Sequence, residues 1–321
     1  MGIPHLHLPS KLELPIYSTI PLAIGIVALV RAAWGVLRFI RFHLLNFNSK
    51  HALEKYHHGR SFALVTGSAA GIGFGFAQEL VRRGYGVIIH SRSQHKLDEA
   101  TARLKAIRPD PSVRHLVCDA FDFTPDALHA ALNAFADLPL SVLVNNRARR
   151  RHDTYSARDV DMSVALNARF MAHVTRAMLP ALRRAPRSLI LNLTSAARDG
   201  MPWSVAYSAA KGFATSFSYA LTRELRAVGA SVDCLLVVPG TVHSQYNNRK
   251  QPRGTPTADA YARMTLERVD AAVGWGWLEM VPSMHHDLLL GVGALLPEMV
   301  YQRALVGQMQ RYLKPKDGKK D

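Results

Sequence analysis

From Leu14 to Val30 no charged residue interrupts the chain, and apolar character continues through Trp34 to Leu37 with Arg31 the only break before Arg38. A bilayer-spanning helix needs roughly 17 to 25 such residues, so the pattern predicts one membrane helix. Beyond Arg60 the rhythm changes. Short apolar runs rich in branched residues, Ser61 to Thr66, Gly86 to His90, Val113 to Cys118, Ser141 to Asn145, Ser188 to Thr194 and Ser231 to Val238, predict strands. Between them lie stretches of helical period: Phe74 to Arg83, Gln94 to Ile107, Pro125 to Ala136, Asp161 to Arg184 and Val205 to Val228. Strand and helix alternating in this way predict an α/β domain, a doubly wound parallel sheet with helices on both faces.

The apolar segment has two rival readings, a signal peptide and an interfacial helix. Arg31, Arg38 and Arg41 stand where a signal peptide wants a small-residue cleavage site, which favours the span. Basic residues after it (Arg31, Arg38, Arg41, Lys50, Lys55) outnumber those before it (Lys11, offset by Glu13). That asymmetry places the C-terminal part in the cytosol. The expected organisation is residues 1–50 as anchor and juxtamembrane segment, and residues 51–321 as one folded domain.

With 48% hydrophobic and 20% charged residues the chain has the composition of a folded domain. Lys and Arg total 40 against 24 Asp and Glu, a net charge of +16, so the surface should attract phosphates or anionic headgroups. No zinc-finger spacing or RNP-type aromatic motif directs that charge onto bases, and no nucleic acid is expected. Cys118 and Cys234 each sit in an apolar run without a C-x-x-C neighbour, which predicts buried thiols in a reducing compartment.

The run Leu64-Val65-Thr66-Gly67-Ser68-Ala69-Ala70-Gly71-Ile72-Gly73 joins the first strand to the first helix of the domain. Its glycines permit a tight turn and a close backbone approach to pyrophosphate, whose charge meets the N–H groups at the helix start. Gly67, Ser68, Gly71, Ile72 and Gly73 are thus candidate dinucleotide contacts of a Rossmann-type fold. The second strand ends in His90-Ser91-Arg92-Ser93. An acidic residue there would take a ribose 2′-hydroxyl, whereas Arg92 suits a 2′-phosphate, so NADP is the expected cofactor.

Tyr207 and Lys211 lie at i and i+4, one helical turn apart on one face. A neighbouring cation pulls a phenol below its usual pKa of about 10, toward a range where it exchanges protons with a substrate oxygen. Ser195, at the end of the preceding strand, is placed to hydrogen-bond that oxygen.

On Gly67, Gly71, Gly73, Asp119, Asn145-Asn146, Asn167, Ser195, Tyr207, Lys211 and Pro239-Gly240, the chain from about Phe62 to Val242 resembles the short-chain dehydrogenase/reductase family. The N-terminal apolar segment, Ser91-Arg92-Ser93, Met178-Leu179-Pro180 and the Trp-rich C-terminal stretch resemble its microsomal branch of very-long-chain 3-oxoacyl-CoA reductases and 17β-hydroxysteroid dehydrogenases. The resemblance implies Tyr207 as acid/base, Lys211 lowering its pKa and holding the nicotinamide ribose, Ser195 positioning the carbonyl and Asn167 holding the water of a proton relay. It further implies that Asp119 touches adenine, Asn145 the adenosine ribose region, and Val242 with Ser244 the nicotinamide carboxamide. Homodimer contacts through the helices bearing Asn167 and Tyr207 are implied as well. One departure stands out: Arg147-Ala148 occupies the place of the family's Ala-Gly, removing a glycine that lets backbone lie close to the cofactor.

After Pro239-Gly240 a polar, basic loop, His243 to Thr257, precedes an apolar portion; residues 243–300 are expected to cover the substrate. Trp275, Trp277, Met280 and Leu288 to Leu296 would line an apolar pocket, dip into a membrane surface, or pack as ordinary core. Asp287 to Met299 is too short for a second span. His285 and His286 are adjacent, point apart on a helix and lack a spaced third ligand, so no metal is expected. The terminal Gly318-Lys319-Lys320-Asp321 resembles a dilysine signal of endoplasmic-reticulum membrane proteins, displaced by one place. The sum is an NADPH-dependent reductase of an apolar ketone, such as a 3-oxoacyl thioester or a steroid, or the corresponding alcohol dehydrogenase. Two alternatives stay open: a reductase of a specialised metabolite, and a dormant membrane scaffold that keeps its cofactor for stability.

Overall fold

The computed structural model describes residues 16–45, 51–146, 156–245 and 254–313. The chain divides into two compact units, residues 1–47 and 48–321. The first is helix α1 (Ile16–Leu44). Its portion Thr19–Leu44, 26 residues containing an 18-residue stretch of mean hydropathy 2.0, is long and apolar enough to cross a bilayer.

The second unit is built on a seven-stranded sheet in the order β3-β2-β1-β4-β5-β6-β7, every neighbouring pair parallel. Its strands are β1 (Phe62–Val65), β2 (Gly86–Ser91), β3 (Val113–Val117), β4 (Leu140–Asn145), β5 (Ser188–Leu193), β6 (Val232–Val237) and β7 (Glu279–Met280). The six strands expected from apolar runs are all present. Every residue of β1, β2, β4 and β5 is buried, as a sheet covered on both faces requires. β3, at the sheet edge, is more open, and Cys118 just beyond it is only partly buried, whereas Cys234 in β6 is buried. The expectation of two core thiols therefore holds for Cys234 alone. Burial raises that thiol's pKa to about 12, which keeps it protonated.

Helices α2 (Gly71–Arg82), α3 (Gln94–Lys105) and α4 (Pro125–Asn133) begin where polar caps or glycine predict. Thr124 accepts from Ala127 N–H at 3.2 Å, and Ser93 accepts from Lys96 N–H. The expected helix Asp161 to Arg184 is instead three pieces. Capped by Ser156, α5 (Ala157–Val164) starts earlier; a π-turn, Ala165–Arg169, follows, and then α6 (Phe170–Arg184). Next comes α7 (Val205–Ala227).

The segment after Gly240 departs most from expectation. Thr257 caps a full helix, α8 (Ala258–Gly274), whose Tyr261, Ala262, Leu266, Val269 and Ala272 are buried, and which packs on α2. Gly75 makes that packing possible: a Cβ there would meet the Ala258 carbonyl oxygen at 2.5 Å. Then follow α9 (Met284–Leu295) and α10 (Glu298–Leu313), separated at Leu296-Pro297. Strand order reverses between β1 and β4, so a crevice opens above the carboxyl ends of those strands.

Candidate active site

The turn from β1 into α2 is shaped by three glycines. Gly67 (φ 62°) and Gly71 (φ 58°) take left-handed backbone that a side chain would strain. Gly73 is fixed by crowding, since a Cβ would lie 2.4 Å from both Asn146 Nδ2 and the Gly67 carbonyl oxygen. Ala70 precedes α2 with no side-chain cap, so the first-turn N–H groups stay available to an anion. A cavity of about 440 Å³ lies against the turn, lined in part by Ala69, Ala70, Lys96, Arg103 and Gln245. Lys96 and Arg103 were not singled out in the sequence; their basic character beside a phosphate-binding turn was the available signal. These features fit a dinucleotide: a cradle without Cβ atoms, an open helix start and flanking cations.

Arg92, at the end of β2, is exposed and reaches Asp119 at 3.7 Å, so two residues expected at the adenosine end do meet. Asp119 also accepts from Phe121 N–H at 2.9 Å, which fixes its carboxylate just beyond β3. Asn145 turns inward. Its Nδ2 donates to Thr175 Oγ1 at 2.9 Å and to Asn192 Oδ1 at 2.8 Å, while Asn192 donates to Ser218 Oγ at 2.9 Å. Asn145 is thus a node between β4, β5, α6 and α7. Its Oδ1 has no hydrogen-bond partner among the described residues. Val242 is buried and Ser244 half-buried after β6, where the chain lies beside its own return: His243 bridges Thr257. The departure Arg147-Ala148 falls outside the described residues.

Around Tyr207 the elements are stitched tightly. Lys211 is fully buried, and its Nζ donates to the Leu193 carbonyl at 2.9 Å, two residues before Ser195. The same Nζ lies 5.7 Å from the centroid of the Tyr207 ring. In return Thr194 Oγ1 donates to the Lys211 carbonyl at 2.9 Å, so the end of β5 and the first turns of α7 are locked together. Burial lowers the Lys211 pKa to about 7, because an ammonium is costly away from water. Tyr207 is 8% exposed. Ser195 caps the 3-10 turn Ala196–Asp199, accepting from Ala197 N–H at 3.1 Å.

Asn167 sits in the π-turn, 2% exposed, its Nδ2 donating to the Ser163 carbonyl at 3.0 Å. Its Oδ1 has no partner among the described residues. Wide turns of this kind concentrate at functional sites, and this one packs on α7. A residue pair not foreseen ties the Ser195 loop to the far edge of the sheet. Arg198 forms a bidentate pair with Glu279 of β7, and Tyr219 of α7 donates to the same carboxylate. Burial and that carboxylate raise the Tyr219 pKa to about 12. His286, one of the histidines set aside as metal ligands, instead accepts from Gly240 N–H at 3.2 Å through Nδ1.

A family model described as short chain dehydrogenase matches residues 61–254, more than half of the chain. The chain belongs to the short-chain dehydrogenase family. It is an oxidoreductase of that family, and the glycine turn, Ser195, Tyr207 and Lys211 all fall within the matched span. The very-long-chain 3-oxoacyl-CoA reductase of Rattus norvegicus is 28% identical over 269 residues, covering 79% of this chain and 82% of that protein. The 17-beta-hydroxysteroid dehydrogenase type 3 of Homo sapiens is 26% identical over 304 residues, covering 90% and 94%. Among solved short-chain dehydrogenase folds, the 3-oxoacyl-[acyl-carrier protein] reductase of Brucella melitensis superposes with a TM-score of 0.62 at 21% identity, covering 73% of this chain and 92% of that one. The L-sorbose reductase of Gluconobacter frateurii, complexed with NADPH and L-sorbose, gives 0.61 at 16% identity, covering 70% and 96%.

Proposed function

We propose that the protein reduces an apolar ketone, a 3-oxoacyl thioester or a steroid, with NADPH, or runs the reverse oxidation. The observation that carries this is the buried Lys211 one turn from Tyr207, hydrogen-bonded just below Ser195. A bound nicotinamide dinucleotide supplies the hydride. Tyr207 donates its phenolic proton to the substrate oxygen as the C–O bond becomes an alkoxide, and Ser195 Oγ hydrogen-bonds the same oxygen. Lys211 favours the resulting phenolate and holds the nicotinamide ribose. Asn167 Oδ1 accepts from a water that returns the proton. Gly67, Ser68, Gly71, Ile72 and Gly73 hold the pyrophosphate, Arg92 the 2′-phosphate, Asp119 the adenine, and Val242 with Ser244 the carboxamide; Asn145 supports the ribose region from beneath.

The relatives named above support a lipid-like substrate, as does the exposed apolar surface of α9 and α10, with Leu288, Leu289, Val292, Leu295 and Met299 all open. Helix α1 supports membrane association, and the basic residues that follow it support a cytosolic domain on the endoplasmic reticulum. A homodimer through α5 and α7 is supported by Val164 and Phe213, 46% and 44% exposed. Full-length protein in detergent, given NADPH or NADH with 3-oxoacyl-CoA, steroid and retinal-type ketones, tests the reading. Oxidation of NADPH by one apolar class is expected. Silence across the panel despite tight NADPH binding overturns it.

A further inference from the structure

His90 is fully buried at the end of β2, a costly place for an imidazole unless both nitrogens are satisfied. Its Nδ1 accepts from Gly67 N–H at 3.0 Å, and its Nε2 reaches the Cys118 carbonyl at 3.1 Å. A carbonyl only accepts, so Nε2 carries the proton and Nδ1 is the bare acceptor. The main chain of His90 is tied to the same turn: its N–H donates to Ser68 Oγ at 2.8 Å, and its carbonyl accepts from Ser68 N–H at 3.1 Å. Ser68 Oγ donates in turn to the Val65 carbonyl at 2.7 Å. The ring stacks on Phe170, centroids 4.9 Å apart and planes 23° from parallel, at the first residue of α6.

One imidazole therefore joins three loops: the glycine turn after β1, the Ser91-Arg92 segment after β2, and the Cys118-Asp119 segment after β3. These are the loops that the proposed function assigns to the adenosine half of the cofactor, and the inference rests on that reading. We infer that His90 is a positioning residue for the adenosine half of the dinucleotide, holding the glycine turn, the 2′-phosphate arginine and the adenine-facing aspartate in one fixed arrangement through its neutral Nε2–H tautomer. It touches no cofactor atom itself. Its hydrogen bond to Gly67 orients the peptide that opens the left-handed turn, and its bond to Cys118 fixes the strand end from which Asp119 projects. Without both bonds the half-buried Gly67 N–H and the half-buried Cys118 carbonyl lose the imidazole that ties them together, and the two loops are no longer held to one arrangement.

Three full-length variants in detergent test this by calorimetric binding of NADPH and of 2′,5′-ADP, the adenosine half alone. His90→Phe keeps the ring and its stack but deletes both hydrogen bonds; His90→Asn keeps an acceptor near Gly67 N–H; His90→Leu keeps neither ring nor bonds. The expected result is a Kd for both ligands raised about tenfold in the Phe variant, at least as much in Leu, and by a smaller factor in Asn. Equal affinity in wild type, Phe and Asn overturns the inference. Where circular dichroism shows Phe or Leu unfolded, Asn decides alone, by a weakened or an unchanged Kd. Wild type that binds neither ligand overturns the cofactor reading itself, a separate outcome from wild type and variants binding alike.

Discussion

The ammonium of Lys211 donates to the carbonyl of Leu193 at 2.9 Å in a buried site, so the end of β5 holds the cation just below Ser195. Desolvation outweighs what that bond returns, and the Lys211 pKa falls to about 7 in the fold from an unfolded value near 10.5. Between those values the unfolded chain holds a proton that the folded one has lost, so stability rises with pH across that window and flattens outside it. Thermal denaturation without added dinucleotide should show Tm climbing from about pH 7 toward 10. In Lys211→Met this climb should vanish.

Tyr207→Phe removes only the phenolic oxygen from a ring that is already well packed. Turnover should fall by about a hundredfold or more, while NADPH binding stays within a few-fold of wild type. A matching loss in both would mean the hydroxyl serves cofactor binding, not proton transfer.

Gly73→Ala places a methyl 2.4 Å from the Gly67 carbonyl oxygen and from Asn146 Nδ2. Neither the turn nor the end of β4 yields freely, so a stability loss of about 1–3 kcal/mol is expected, with dinucleotide binding weakened further. Chemical denaturation and cofactor titration check the two effects separately.

Arg92 is exposed, and its long-range partner Asp119 is 3.7 Å away, so replacing it leaves the core intact. Arg92→Glu should raise the KM for NADPH at least tenfold and lower that for NADH, through repulsion of a 2′-phosphate and an acceptor for a 2′-hydroxyl. Unchanged preference would move 2′-phosphate recognition to Lys96 or Arg103.

Glu279→Gln takes the bidentate ionic partner from Arg198 beneath the Ser195 loop, leaving it Asp199 at 3.6 Å. A loss of about 2 kcal/mol is expected from a half-buried charge-assisted pair. The Tyr219 pKa should fall from about 12, though burial, the larger cause, keeps it raised after its carboxylate acceptor is gone; ultraviolet titration of tyrosine reads that shift.

The sheet was legible because its central strands are buried on both faces. Such strands are written as uninterrupted apolar runs, and Leu189, Ile190 and Leu191 have no exposed surface. β7 left no such trace: two residues, Glu279 and Met280, pair with β6 only because the rest of the fold brings them there. The buried 261, 262, 265, 266, 269, 272 series of α8 has helical spacing, but it includes the polar Thr265 and follows a polar loop, so its apolar stripe is weak in the sequence. Tyr207, Lys211 and Ser195 were visible from spacing and strand ends. The inward turn of Asn145 was not, since a strand residue's face is set by partners such as Thr175 and Asn192 that lie 30 and 47 residues away. The part His90 plays was not legible either, since its bonds to Gly67 and Cys118 join loops far apart in sequence.

The five residues 165–169 wind wider than their neighbours, so the helical stretches on either side are out of phase. That offset is one of residue count: a π-turn is an α-helix carrying one extra residue, so excising one of the five would restore the regular ladder with little net rotation of α5 against α6. This part of the chain can therefore lose a codon with α5 still against α7, at the expense of the widened turn in which Asn167 sits.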